Sequence, residues 1–149
     1  MIAAVSLDEG PIAIHRTFLS REACTKAGFD KPKRALGALG EAAVRLLAPA
    51  SGKLGLAEGI ESGMSAYALT GIPVWATLGN ERFGLVSVPE SVTELHLFVD
   101  HDAGGELAAS RGQAAYAQEG RTILVRRPSS RDTDWNDELT AWLRRKAAP

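Results

Sequence analysis

The stretch LFVDHDAGG, residues 97–105, ends an apolar run in two carboxylates two residues apart and follows them at once with paired glycines. On a strand, alternate side chains share a face, so Asp100 and Asp102 are expected to point one way and His101 the other. Two anions held side by side repel, and hard oxygen donors suit Mg2+ or Mn2+ better than zinc. The same residues also suit a solvated turn made of Asp and Gly. A second acid, Glu58, closes the run LGLAEG just ahead of Gly59, with Glu61 three residues further on. A third group, Asp132, Asp134 and Asp137, lies in RDTDWNDEL.

These acids gain meaning from the elements that carry them. From Leu54 onward, apolar runs that read as strands (KLGLAEG, PVWATL, ELHLFVD, TILVRRP) alternate with helical stretches (ESGMSAYALTG, the long AGGELAASRGQAAYAQEG closed by Gly120, and WNDELTAWLRRK). That order predicts crossover units and an α/β fold with a mainly parallel four-stranded sheet flanked by helices. Ligands of open parallel sheets bind at the carboxyl ends of the strands. Glu58 closes the first strand, Asp100 and Asp102 the third, and Asp132, Asp134 and Asp137 follow the fourth, while the second offers Asn80 and Glu81 in TLGNER. Carboxylates remote in sequence are therefore expected at one edge, a gathering that is costly unless a dication neutralises it. Glu58, on a rigid strand end, is placed to act as a general base or acid, and Glu61 is either a supporting acid or a favourable charge in a helix first turn.

Ahead of this region, AAVSLD and IAIHRTFL flank EGP and predict a β-hairpin over about residues 3–19. The following segment, to residue 53, is rich in Gly, Ala, Pro and basic residues and reads as a connector with little structure of its own. The expected division is therefore an N-terminal hairpin and basic connector over 1–53 and an α/β domain over 54–149. Lys31, Lys33 and Arg34 around Pro32, with Arg45, are candidate contacts to nucleic-acid or nucleotide phosphates.

Composition limits the classes open to the chain. Its 149 residues can bury a core, and 45% hydrophobic with 23% charged residues is an ordinary globular balance. The net charge of −1 hides an asymmetry: residues 1–53 carry eight basic against five acidic residues, residues 54–140 six against thirteen, and residues 141–149 three against none. The acidic middle repels nucleic acid unless metal ions intervene, whereas the flanks attract a phosphate backbone. One cysteine, Cys24, makes neither a disulfide framework nor a zinc module, so no zinc and a reducing, cytoplasmic setting are expected. No apolar run approaches the roughly 20 residues of a membrane span, and no membrane partner is expected. His15 and His96 read as structural or surface residues and Trp75 as core. Tyr67 and Tyr116 read as packing residues, and Trp135 and Trp142 pin the last helix. Arg144, Arg145 and Lys146 suit a helix C-terminus.

AEGIES, then FVDHDAGG, then DTDWND, in this order on alternating strands, resemble the Toprim domain shared by bacterial-type primases, topoisomerases and certain nucleases. The resemblance runs from about residue 53 to residue 142. The wording EGIES followed by GIPVWATLG, and the phrase DWNDEL, is most similar to Toprim domains of phage and plasmid primases or primase-helicases; IHRTFL, KPKRALG and AVRL resemble the segment that precedes them. The resemblance implies Glu58 as the family glutamate, general base in joining and general acid in cleavage. It implies Asp100 and Asp102 as the metal-binding pair, and Asp134 with Asp137 as holders of a second metal. Many primases carry an aspartate four residues after the glutamate, where Ser62 stands here. The implied activity is Mg2+-dependent nucleotidyl transfer: primer synthesis from nucleoside triphosphates on a single-stranded DNA template in replication of a mobile element, within a larger protein or assembly that includes a helicase or other replication protein. Two alternatives stay open, a Toprim metal-dependent nuclease and a nucleic-acid-binding accessory domain with a vestigial metal site.

Overall fold

The computed structural model describes residues 1–23 and 25–148, so Cys24 lies outside the described residues. The expected hairpin forms from β1 (Ile2–Leu7) and β2 (Gly10–Thr17), antiparallel from Ile2 opposite Arg16 to Leu7 opposite Gly10. Gly10 turns the chain at φ 128°, a conformation that side chains rarely tolerate. Along β2 the burial alternates: Ala13, His15 and Thr17 face inward, and Ile12, Ile14 and Arg16 face outward.

The connector is more structured than its composition predicts. β3 (Lys33–Leu36) adds to the hairpin antiparallel to β2, and β4 (Val44–Arg45) pairs antiparallel with a strand of the second sheet. KRAL has neither the length nor the β-branched residues that announce a strand, so its conformation is imposed by the backbone donors of β2 rather than by local preference.

The second sheet contains β5 (Lys53–Ala57), β6 (Val74–Ala76), β7 (Glu94–Phe98) and β8 (Thr122–Arg126), in the order β4-β6-β5-β7-β8. β6, β5, β7 and β8 are mutually parallel, as the alternation of strands and helices requires, and β4 is an antiparallel edge. The crossovers are α1 (Ile60–Thr70) and α2 (Ala103–Tyr116), and α3 (Trp135–Ala147) follows β8. Gly71 ends α1 in the left-handed conformation, as expected. α2 stops at Tyr116, short of Gly120, which turns the loop before β8 instead.

The central strands are buried on both faces and accordingly read as continuous apolar runs. Leu54, Leu56, Leu95 and Leu97 meet Ala108, Ala109 and Tyr116 of α2 on one face. Ala57, Val74 and Phe98 meet Ala66 of α1 and Trp135 of α3 on the other. Gly55 is needed between them, because a Cβ there would lie 2.5 Å from the Phe98 ring. A third cluster, Val5, Ala13, Val44, Ile60 and Ala76, joins the N-terminal sheet to the parallel one, and Ser6 and Ala43 exchange backbone hydrogen bonds across the seam. Among the described residues, no helix is long and apolar enough to cross a membrane.

Candidate functional site

Glu58 is the first residue beyond β5. Its carbonyl accepts from the Leu78 amide at 2.8 Å and the preceding Ala57 carbonyl from the Thr77 amide, so the chain at Glu58 is anchored to the end of the neighbouring parallel strand. The carboxyl is half-buried and its pKa is raised by that burial; a hydrogen bond with Asp100 opposes the rise, and the Asp102 charge adds to it.

Asp100 and Asp102 do not sit on a strand as the alternation predicts. β7 stops at Phe98, and Asp102 is already the N-cap of α2, its Oδ1 accepting the Gly105 amide at 2.7 Å. The paired glycines explain this early stop. A Cβ on Gly105 would collide with the Asp100 carbonyl oxygen, and one on Gly104 would stand 2.8 Å from Asn80 Nδ2. Gly105 above all lets the helix start fold back onto the strand end and set both carboxylates at its edge.

The loop after β8 is tied to the same point. The His101 amide donates to Thr133 at 3.1 Å, the Asp132 amide donates back to His101 at 2.9 Å, and His101 Nδ1 lies 3.0 Å from the Pro128 carbonyl. This seam brings Asp134 close enough for its charge to act on Asp100. The Asp100 pKa is pushed up to about 7, by burial first, then by the Glu58, Asp134 and Asp102 charges and the hydrogen bond to Glu58. Two carboxyls joined by a hydrogen bond hold a proton between them. Asp100 Oδ1 is buried and has no partner among the described residues.

Asp134 and Asp137 form the capping box of α3: Asp134 Oδ1 accepts the Asp137 amide at 2.9 Å, and Asp137 Oδ2 accepts the Asp134 amide at 3.3 Å. Asp137 therefore faces its own helix start and is absent from the charges that perturb Asp100. Asp132 is exposed, in a left-handed turn at φ 56°. Glu61 is engaged by Lys33 Nζ at 2.8 Å and Lys26 Nζ at 3.5 Å. Burial raises its pKa, but the hydrogen bond from Lys33 and the two lysine charges outweigh it and hold the group low.

The four basic candidates part company. Lys33 lines a cleft of about 230 Å³ with His15, Glu58, Gly59, Leu78 and Gly79, which places the N-terminal sheet against the catalytic candidate. Lys31 and Arg34 are exposed, with Arg34 Nε donating to the Lys31 carbonyl at 3.3 Å. Arg45 is occupied elsewhere, pairing with Asp8 at 2.5 Å and lying 4.2 Å from the centre of the Trp75 ring.

Three further contributors lie on the loop after β6: Asn80 and Glu81, which the end of the second strand offers in the sequence, and Arg82, which had no signal there. Glu81 adds negative charge at Glu58, and Asn80 abuts Gly104 with its Oδ1 buried and without a partner among the described residues. Arg82 is buried and braces the loop that carries both, donating to the carbonyls of Thr77, Gly40 and Ala42. An arginine spent wholly on backbone carbonyls is indistinguishable in sequence from a surface one.

Among the described residues, no three His, Cys, Asp or Glu side chains already form a cluster that holds a metal ion. The donor chemistry nevertheless fits a hard dication: the buried Asp100 Oδ1 lacks a partner, and the caps made by Asp102 and Asp134 each use Oδ1.

The Toprim domain family matches residues 53–144, the span that contains every one of these acids. The chain belongs to the Toprim family. Residues 1–46 match a second family, a domain of unknown function (DUF7146). A crystal structure of a DNA primase domain from Pseudomonas aeruginosa is similar to this Toprim protein with a TM-score of 0.61 at 15% identity, over 94% of this chain and 46% of that one. The fold is thus shared with a primase domain, and this chain spans about half of that domain's length, 46%. No curated protein matches the chain significantly.

Proposed function

We propose that this Toprim domain carries out Mg2+-dependent nucleotidyl transfer of the primase type, joining nucleoside triphosphates into a primer on a single-stranded DNA template, as part of a larger replication protein or assembly of a mobile element in the cytoplasm. The observation that carries the reading is the meeting of Glu58 with Asp100, with the Asp102 and Asp134 charges beside them, at the carboxyl edge of the sheet. Toprim domains generally bind Mg2+.

Asp100, Asp102 and Asp134 are the residues that would hold Mg2+ or Mn2+. When bound, such an ion neutralises triphosphate charge and makes an attacking hydroxyl more acidic. Glu58 serves as the proton acceptor. Its pKa, raised by burial, suits it to take a proton from a 3′-hydroxyl better than an ordinary surface carboxylate would. The anchored backbone at Ala57 and Glu58 fixes where that proton is received. Lys33, at the mouth of the same cleft, offers a phosphate an alternative partner to Glu61. Asp137 keeps the Asp134 cap in shape rather than reaching the ion.

The test is incorporation of labelled nucleotide on a single-stranded template with Mg2+ or Mn2+, in wild type, Asp100→Asn and Glu58→Gln. Loss of incorporation in both variants supports the reading. Incorporation by Asp100→Asn equal to wild type overturns it, and shortening of the labelled template without triphosphates identifies a nuclease instead.

A further inference from the structure

The N-terminal sheet has two faces. One carries His15 and Lys33 into the cleft beside Glu58; the other carries Ile2, Ile12, Ile14, Arg16, Arg34 and Leu36 away from it. On the outer face, Arg16 stands directly opposite Arg34 across β2 and β3. Like charges in that position destabilise a sheet unless an anion lies between them. Neither arginine forms an ion pair among the described residues, and Arg16 Nε is buried without a partner. The basic pair does not stand alone. Phe18 lies with its ring centre 6.0 Å from the Arg16 guanidinium, and Phe29 meets Phe18 edge-on at 5.7 Å. Both rings reach solvent, Phe29 with 58% and Phe18 with 37% of its surface exposed. They are held on a braced loop, because the Ala27 amide donates to the Phe18 carbonyl at 2.8 Å and the Phe29 amide to Ala27 at 2.9 Å.

Planar guanidinium groups match phosphate oxygens, and exposed rings beside them offer stacking faces that only unpaired bases can use. We propose that this outer face binds single-stranded nucleic acid, with Arg16 and Arg34 on successive backbone phosphates and Phe29 and Phe18 against the bases. The proposal rests on the nucleic-acid part of the function above, but places the strand on a face turned away from Glu58 and its carboxylate partners. Duplex does not fit, since its bases present no free faces. The exposed aliphatic residues on the same face also suit an anionic bilayer or a second copy of the chain, and the experiment separates these.

The full chain is titrated against a fluorescent oligothymidine of about 12 nucleotides in metal-free buffer over a range of salt concentrations. The double variant Arg16→Gln/Arg34→Gln is expected to weaken binding at least about tenfold and to flatten the logarithmic salt slope by roughly 1.4. Phe29→Ala is expected to cost about five- to a hundredfold. Arg144→Gln/Arg145→Gln, which removes the same charge from the end of α3, stays within about twofold of wild type. If Arg16→Gln does not fold, Arg34→Gln and Phe29→Ala, both at exposed positions, carry the test. Asp100→Asn keeps its affinity for the oligonucleotide, so failure of the nucleotidyl-transfer reading leaves this measurement intact. Unchanged affinity in the double variant and in Phe29→Ala overturns the proposal. So does equal competition by duplex, arginine-dependent pelleting with phosphatidylserine vesicles without an effect on the oligonucleotide, or a dimer in sedimentation that the double variant dissociates.

Discussion

The carboxyl edge of the parallel sheet and the N-terminal antiparallel sheet answer the problem of like charge in opposite ways. At the edge, acids from three distant segments meet; Glu58, Asp100 and Asp134 are half-buried and Asp102 is exposed, and Asp100 and Glu58 share a hydrogen bond while Asp102 and Asp134 spend one oxygen each on helix caps. On the N-terminal sheet, the opposed arginines, Arg34 exposed and Arg16 half-buried, have no carboxylate partner among the described residues. Burial converts repulsion into shifted protonation, whereas exposure leaves full charges waiting for a mobile counterion. The two regions meet along the apolar seam of Val5, Ala13, Val44, Ile60 and Ala76, and Lys33 and Lys26 reach across to Glu61.

The sharpest way to break this contrast is to remove the buried charge. Asp100→Asn is expected to lower nucleotide incorporation by about a thousandfold, corresponding to about 4 kcal/mol of transition-state stabilisation, in single-turnover assays. The fold itself should survive, because Asn reproduces the protonated form of the group.

Next in size is the packing that brings the acids together. Gly105→Ala places a methyl against the Asp100 carbonyl and is expected to cost about 1–3 kcal/mol, read as a lower midpoint in urea unfolding. Gly120→Ala strains a left-handed turn far from the acids and should cost less, about 1 kcal/mol, without altering metal affinity.

The pH dependence sharpens the comparison further. Asp100 moves from its ordinary 3.8 to about 7 in the folded protein, so the folded chain binds this proton more tightly than the unfolded chain does. Its contribution to stability is fully present below about pH 4 and is lost as pH rises toward and through 7. Metal-free wild type should therefore match Asp100→Asn in melting temperature near pH 4 and fall progressively below it by pH 8. Mg2+ should narrow that gap for wild type alone. Equal melting temperatures at pH 8 without metal would contradict the burial argument.

The smallest effect is expected where the regions meet. Lys33→Met removes an ion pair whose side chains are each about one-third exposed, so the stability change should stay within about 1 kcal/mol. A larger rise in KM for the nucleoside triphosphate than fall in kcat would locate Lys33 at bound phosphate.

Much of the parallel sheet was legible because its central strands are buried on both faces and its strands alternate with helices, so LGLA, VWA, LHLF and the edge strand TILV announce themselves. The connector misled because β3 and β4 are short and polar, and take their conformation from neighbours brought close by tertiary folding. The carboxylates were legible as types at strand ends, but not as rotations: the expected strand at Asp100 and Asp102 yields to a helix cap. The contacts of the others also came only with the structure: Asp137 completes the capping box of α3, Glu61 pairs with Lys33, and Arg45 pairs with Asp8 and lies over Trp75.

Residue order by itself determined the alternation of strands and helices, the acids at strand ends and the membership of the Toprim family, since all three follow from local pattern. Only the tertiary structure decided which carboxylates feel one another. That depends on Gly105 lying against Asp100 and on the His101 seam, distances that buried packing sets and that spacing along the chain does not encode.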